Sequence, residues 1–473
     1  MPFATVGSTL PATMEDEKQL QRDLHIVMFP WLAHGHINPF LGLANSLRSH
    51  GFRISFVSTP RNIARIKSQL SQSQTVPRIE LVELPLPLMD GLPAGVESSA
   101  DLKRGGSLPL LVQALDRCQK PFEALLQRLS PDFVIFDNIQ YWTARVAAKL
   151  EIPAIFFSTY GVAAMTLAFA EEQVGKTAAL EHLTEQPPGF PTWVVRRRPY
   201  EMRKIVQGQS SGTAIDFVER LVISVKESCA TVCNSTNELE GTFMEYWRRS
   251  SGRPVLPVGV LMPSLPPRPP VDRCLDWLDR QGPRSVVVVS FGSDYTPTGE
   301  EIAAVALGLE ESLLPFLYIL LGGPPLPQGF DGRTLARGLV VNEWAPQSHI
   351  LSHPSTGALL THCGWNSLTE ALRFGVPLVA LPMRFDQGIN ARLIAEVLKV
   401  GVEVRRNDED GCFSKDDISK AVTAVMLEEE GRQIKSKAVE LQRVLTRNNC
   451  EIMETNIRNF VSMLHNEPNN KHP

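Results

Sequence analysis

From Trp344 to Gln387 the chain sets out an ordered series of functional groups: an indole, an amide, an imidazole beside a glycine turn, a second amide with a hydroxyl, and two carboxylates. Residues 357–361 form a short apolar run of strand length, a turn follows at Cys363-Gly364, and a helical pattern over 367–374 closes at Gly375. A strand, turn and helix start of this kind presents unpaired backbone N–H groups and the positive end of a helix dipole, which suits a diphosphate. His362, Gly364, Asn366 and Ser367 lie at that turn, three of them with side-chain donors. Trp344, followed by Ala345 and a proline, offers a flat face for a base, with Gln347 close by. Glu370, about one helical turn after Ser367, can accept both hydroxyls of a ribose. Asp386 and Gln387 follow a second apolar strand, 377–381, and can fix several sugar hydroxyls. Read together, these residues describe a pocket for a sugar nucleotide.

The elements that must position such a pocket alternate along the whole chain. Residues 24–29 read as a buried strand, 31–36 as a loop, the pattern Phe40, Leu43, Ala44, Leu47 as a helix, and 53–58 as a second strand. That is the unit of a parallel sheet, whose ligand edge lies beyond the carboxyl ends of its strands. His36 falls at this edge, as does Asp137 after the apolar run 133–136 and Thr159 after the run 152–157. The strand pattern at 229–234 belongs to the same half. Residues 173–209 read as irregular loops, and the proline-rich stretch 263–270 as an interdomain linker. Strands at 285–291 and 316–321 and helices at 274–278 and 303–309 open the second half, and helical patterns at 416–427, 434–444 and 450–464 end it. The fold class expected is α/β, with two Rossmann-like domains facing a cleft. The divisions are a tail over 1–22, a first domain over 23–258, a linker over 259–272, a second domain over 273–449, and a C-terminal helix over 450–473.

If the sugar held in such a pocket is passed to a hydroxyl, that hydroxyl needs a base. His36 is one candidate, with Asp137 placed to fix its tautomer, and His34 is a competitor. His-x-His also hints at a metal pair, but no carboxylate or cysteine cluster completes one, so no metal is expected. The 47 basic and 51 acidic residues of the 473 nearly balance, which gives no reason to expect a nucleic-acid partner. Arg196-Arg197-Arg198 reads as a solvated loop. Seven scattered cysteines without a Cys-x-x-Cys pair read as reduced buried thiols. Residues 1–20 hold no signal-peptide core and no run reaches membrane-span length, so a soluble cytoplasmic protein is expected.

The segment 344–387 resembles, over its full length and without a gap, the signature box of plant family 1 UDP-dependent glycosyltransferases. Gly35-His36-x-x-Pro39 resembles that family's catalytic loop, 133–137 the strand carrying the partner Asp, and Phe291-Gly292-Ser293 its phosphate-contacting turn. The resemblance selects His36 over His34 as base and implies a GT-B fold in which the C-terminal helix crosses back onto the first domain. It also implies a donor-sugar contact for Thr159. Residues 30–36, 56–63, 84–87, 91–95 and 406–411 resemble the branch that adds a sugar to flavonoid or terpenoid glycosides, including steviol glycosides. Trp365 and Gln387 match the pattern usual for UDP-glucose. The implied reaction is an inverting, metal-independent single displacement by a monomer, with a UDP-sugar as donor co-substrate, a small-molecule glycoside as acceptor and no other cofactor. A UDP-rhamnose-dependent transferase of the same branch, an aglycone glucosyltransferase, a nucleotide-sugar epimerase and a non-catalytic glycoside binder remain alternatives. Met383-Arg384-Phe385 departs from the commoner residues, and Arg384 could favour an acidic sugar such as glucuronate if it is not simply solvated.

Overall fold

In a computed structural model, residues 24–71, 79–102, 107–173, 186–208, 216–261, 265, 267–292, 295–447 and 449–466 are described. They build two parallel sheets. The first contains β1 (His25–Phe29), β2 (Arg53–Ser58), β3 (Ile79–Glu83), β4 (Phe133–Phe136), β5 (Ala154–Ser158), β6 (Ala230–Cys233) and β7 (Val255–Pro257), in the order β3-β2-β1-β4-β5-β6-β7. The second contains β8 (Val286–Ser290), β9 (Phe316–Ile319), β10 (Gly338–Val341), β11 (Thr356–Thr361), β12 (Leu378–Ala380) and β13 (Gly401–Glu403), in the order β10-β9-β8-β11-β12-β13. Strands such as Val286–Ser290 and Ala154–Ser158 are buried along their whole length because helices cover both faces of a parallel sheet. Each strand order reverses beside its first strand, between β1 and β4 and between β8 and β11. Ligands of doubly wound sheets sit at that switch point, outside the carboxyl ends of the strands.

His36 is not in a loop. The helix His34–Ser49 begins two residues earlier, after an extended Ala33, and carries both histidines in its first turn. Pro39 lies inside this helix, so its missing N–H leaves the Gly35 carbonyl without the usual helical donor. The helix pattern at the second turn likewise starts earlier than expected, at Trp365, with Gly364 as its N-cap.

The chain's last helix, Glu454–Asn466, buries Ile457, Phe460 and Leu464 in the cluster that also holds Phe40, Leu43 and Phe56 of the first domain. The crossing is close. A Cβ at Gly259, where φ is +87°, would stand 2.8 Å from the Met453 side chain. The stretch expected to be irregular holds a helix, Pro199–Gly208, and a short 3-10 turn at Trp193–Val195.

Candidate active site

The carboxyl end of β4 delivers Asp137, whose side chain caps the next 3-10 turn by accepting from the Ile139 N–H. Two further bonds fix that turn: Gln140 Nε2 donates to the Pro30 carbonyl at 2.6 Å, and Arg220 Nη1 to the Ile139 carbonyl at 2.7 Å. Asp137 Oδ2 lies 2.6 Å from His36 Nδ1, with its side chain 1% exposed. A carboxylate is an acceptor only, so Nδ1 carries the proton and Nε2 keeps its lone pair. Thr159 Oγ1 stands 3.0 Å from the same Nδ1, and the Tyr160 ring meets the imidazole edge-on at 5.0 Å. Thr159, expected at the donor sugar, thus sits behind the histidine.

Across the cleft, β8 and β11 end at two glycine turns that enclose His362. A Cβ on Gly292 would lie 2.9 Å from its ring, and one on Gly364 would lie 2.6 Å from it. Between them Cys363 adopts a left-handed φ of 69°, which costs a non-glycine residue about 1–2 kcal/mol. Asn390 holds this strained turn: its Nδ2 donates to the Cys363 carbonyl at 3.1 Å and to Asp386 Oδ2 at 2.8 Å. Asn390 went unrecognised in the sequence, although its spacing of four from Asp386 on one helix was a usable signal. Burial raises the Asp386 carboxyl, and the Asn390 bond opposes the rise.

Gln387 Oε1 accepts from the backbone N–H groups of Met383 and Arg384, at 3.0 and 2.9 Å, which fixes the direction of its amide. Glu370 accepts from Gln347 Nε2 at 2.6 Å and from the Ser348 hydroxyl. Burial raises its carboxyl, and these two donors oppose the rise. Each carboxylate oxygen retains a lone pair for a further donor. Ala345 is buried, while Trp344 is 71% exposed with the His34 ring 6.0 Å away, so its indole face is available to a flat ligand. Ser367 lies in the first turn of the helix Trp365–Arg373. Ser293 lies outside the described residues.

Two residues of the box are directed elsewhere than the sequence suggested. Trp365 is buried, and its Nε1 donates to the Asn234 carbonyl of the first domain at 2.8 Å. Asn366 Nδ2 donates to the Gly35 carbonyl that Pro39 leaves free. Both side chains tie the domains together. Arg384 stacks on Tyr295 and Phe385, 5.6 and 4.8 Å from their ring centres. Among the described residues no group of three or more His, Cys, Asp or Glu side chains is arranged to hold a metal ion, and no helix is long and apolar enough to cross a membrane.

Two doubly wound domains, with a His–Asp pair at one switch point and a glycine-turn pocket at the other, define a GT-B glycosyltransferase. Residues 228–447 match the family model described as UDP-glucoronosyl and UDP-glucosyl transferase, and residues 22–263 match a glycosyltransferase N-terminal domain. The chain is 38% identical to UDP-glycosyltransferase 91C1 of Arabidopsis thaliana, covering 88% of this chain and 91% of that one. It is 36% identical to the cyanidin-3-O-glucoside 2-O-glucuronosyltransferase of Bellis perennis, over 95% and 99% of the two chains. It is 35% identical to the anthocyanidin-3-O-glucoside rhamnosyltransferase of Petunia hybrida, over 88% and 91%. Among solved structures, Phytolacca americana UGT2 complexed with UDP-2fluoro-glucose and pterostilbene superposes with a TM-score of 0.76 at 27% identity, over 93% of this chain and all of that one. The chain belongs to the plant family 1 UDP-glycosyltransferases, and it is a UDP-glycosyltransferase.

Proposed function

We propose that the protein transfers glucose from UDP-glucose to a sugar hydroxyl of a flavonoid or terpenoid glycoside, with inversion and without a metal. The observation that carries the reading is the His36–Asp137 pair at 2.6 Å, tied to the start of the helix Trp365–Arg373 through the bond from Asn366 to the Gly35 carbonyl. His36 Nε2 accepts the acceptor's hydroxyl proton while that oxygen bonds to the anomeric carbon. On the opposite face the bond from the anomeric carbon to the diphosphate breaks, and UDP leaves. Asp137 stabilises the imidazolium that forms. The charge on the departing diphosphate is met by His362 and by the backbone N–H groups at the start of the helix Trp365–Arg373. Trp344 stacks on the uracil, Gln347 and Glu370 bind the nucleoside, Ser367 adds a hydroxyl at the diphosphate, and Asp386 and Gln387 orient the sugar.

The sugar-on-sugar assignment is supported by the names of the relatives in Bellis perennis and Petunia hybrida, both of which act on glucosides. Their donors differ, which is why the donor needs a direct test. Arg384 lies over the Tyr295 and Phe385 rings, and a stacked guanidinium keeps its in-plane N–H donors, so an acidic donor belongs in the test beside the neutral ones. Purified protein should be offered UDP-glucose, UDP-rhamnose and UDP-glucuronate with aglycones and their monoglucosides, and products read by mass. A hexose increment on the monoglucosides, undiminished by EDTA, is expected. Mass added mainly to free aglycones, or preferential use of UDP-glucuronate, overturns the corresponding part.

A further inference from the structure

The basic run Arg196-Arg197-Arg198 is not a solvated loop. Only Arg196 is exposed; Arg197 pairs with Glu171 at 3.1 Å, and the two side chains are 9% and 14% exposed. Arg198 crosses to the second domain and meets Glu403 at 2.8 Å. Three residues on, Glu201 receives Arg392 Nη2 at 2.6 Å, and the same guanidinium reaches Glu403 at 3.3 Å. Arg198 N–H also donates to Glu201 at 2.8 Å, and Arg203 Nη2 to the carbonyls of Asp408 and Glu409. The side chains of Arg392, Glu403 and Glu201 are 5%, 8% and 14% exposed and Arg198 is partly exposed, so this is a largely buried network of alternating charge across the domain boundary.

The network sits directly behind the sugar-orienting corner. Arg392 ends the six-residue helix that Asp386 caps and Gln387 begins. Gly388, the next residue, packs closely against this network: a Cβ there would fall 1.9 Å from Glu201 Oε1 and 2.7 Å from Arg392 Nη2. The first domain's carboxylate therefore rests on the backbone that carries Asp386 and Gln387. Ordinary surface ion pairs contribute little, but a buried pair fixes geometry because removing one partner strands the other's charge.

We propose that Glu201 and Arg392 are positioning residues for the donor sugar, forming an interdomain clasp that sets Asp386 and Gln387 against the His36 side of the cleft. The proposal rests on the transferase reading above. It places the sugar's orientation under the control of the first domain, while the nucleotide is held by residues 344–370 of the second. Loss of the clasp should then leave UDP binding intact and lower turnover.

The test uses the full chain and the variants Glu201→Gln, Arg392→Met and the charge-conserving Arg392→Lys. Titration calorimetry with UDP alone gives the fraction of competent sites and the Kd. Turnover per competent site is then measured with the UDP-sugar the wild type uses best. Glu201→Gln and Arg392→Met should each keep the UDP Kd and lose about 100-fold in turnover, the scale of a displacement of about 1 Å in a reacting group. Arg392→Lys, which keeps a cation between Glu201 and Glu403, should retain about a tenth of the wild-type rate or more, as removal of the charge rather than of the volume is what releases the corner. Turnover per site close to wild type in the first two variants overturns the clasp, as does a loss of UDP affinity that accounts for the whole effect. A wild type that turns over no UDP-sugar sinks the transferase reading instead.

Discussion

Replacing Asp137 by Asn isolates the electrostatic part of the base. The side chains are the same size, and Asn keeps an oxygen to accept from the Ile139 N–H, so the turn that carries it survives. What changes is the charge facing His36. As the acceptor proton arrives, the imidazole becomes cationic about 4 Å from the carboxylate charge, and at an effective dielectric near 20 that attraction is about 4 kcal/mol. Asn forfeits it and can also turn its NH2 toward Nδ1, which leaves the proton on Nε2 where the lone pair is needed. Thr159 Oγ1, 3.0 Å from Nδ1, can accept the Nδ1 proton and offset part of the loss. The expected fall in kcat is about 1000-fold, since about 1.4 kcal/mol in the barrier is a factor of ten. Steady-state kinetics with saturating donor and acceptor, beside calorimetry with UDP, make the assay. The UDP Kd should not move. A variant that keeps a tenth or more of wild-type kcat would falsify the assignment of Asp137 as the partner that charges the base.

Trp344→Ala should weaken UDP by about 1–3 kcal/mol, the range for a base stacked on an aromatic ring, without lowering Tm, because the indole is 71% exposed. Pro39→Ala should restore a helical donor to the Gly35 carbonyl in competition with Asn366, lowering kcat up to about tenfold while leaving the fold intact; unchanged kcat would refute that link. Glu240, buried and bonded by Ala163 N–H and the Ser235 hydroxyl, is raised by burial to about 7. Its folded value exceeds its unfolded value of 4.5, so its contribution is present in acid and is lost as pH rises through about 7, amounting to about 3 kcal/mol. Glu240→Gln should remove that slope in denaturant unfolding at pH 5 and pH 8, and a variant with the wild-type slope would exclude this titration.

The residues legible in the sequence are those that follow strands. His36, Asp137, Thr159 and His362 each come at or just past the carboxyl end of an apolar run, and a parallel sheet gathers such ends along one edge whatever lies between them. The missing strands are the weak ones. They are the four sheet-edge strands, Ile79–Glu83, Val255–Pro257, Gly338–Val341 and Gly401–Glu403, which are too short or, in Ile79–Glu83, too interrupted by glutamates to make a periodic signal. Cross-domain partners were illegible for a different reason. Trp365 bonds a carbonyl 131 residues away, and any residue type can supply a carbonyl. Arg198 and Glu403 are 205 residues apart, and a run of arginines looks the same whether water or a buried carboxylate receives it.

Those partners have one feature in common. Asn366, Trp365 and Arg392 all belong to the short stretch of the second domain that surrounds the donor pocket, and they reach Gly35, Asn234 and Glu201 in the first. Gly35 is the neighbour of the base, and Gly388, beside Gln387, is packed against Glu201. A shift of the donor turn would therefore move the Gly35 carbonyl and strain the Glu201–Arg392 pair together, because neither link has a spare length of chain to absorb it. Donor binding and alignment of the base are on this account one event. Substitutions at Asn366 or Arg392 should lower kcat in company with each other, and a double variant should lose less than the product of the two single losses, the mark of residues acting through a shared contact.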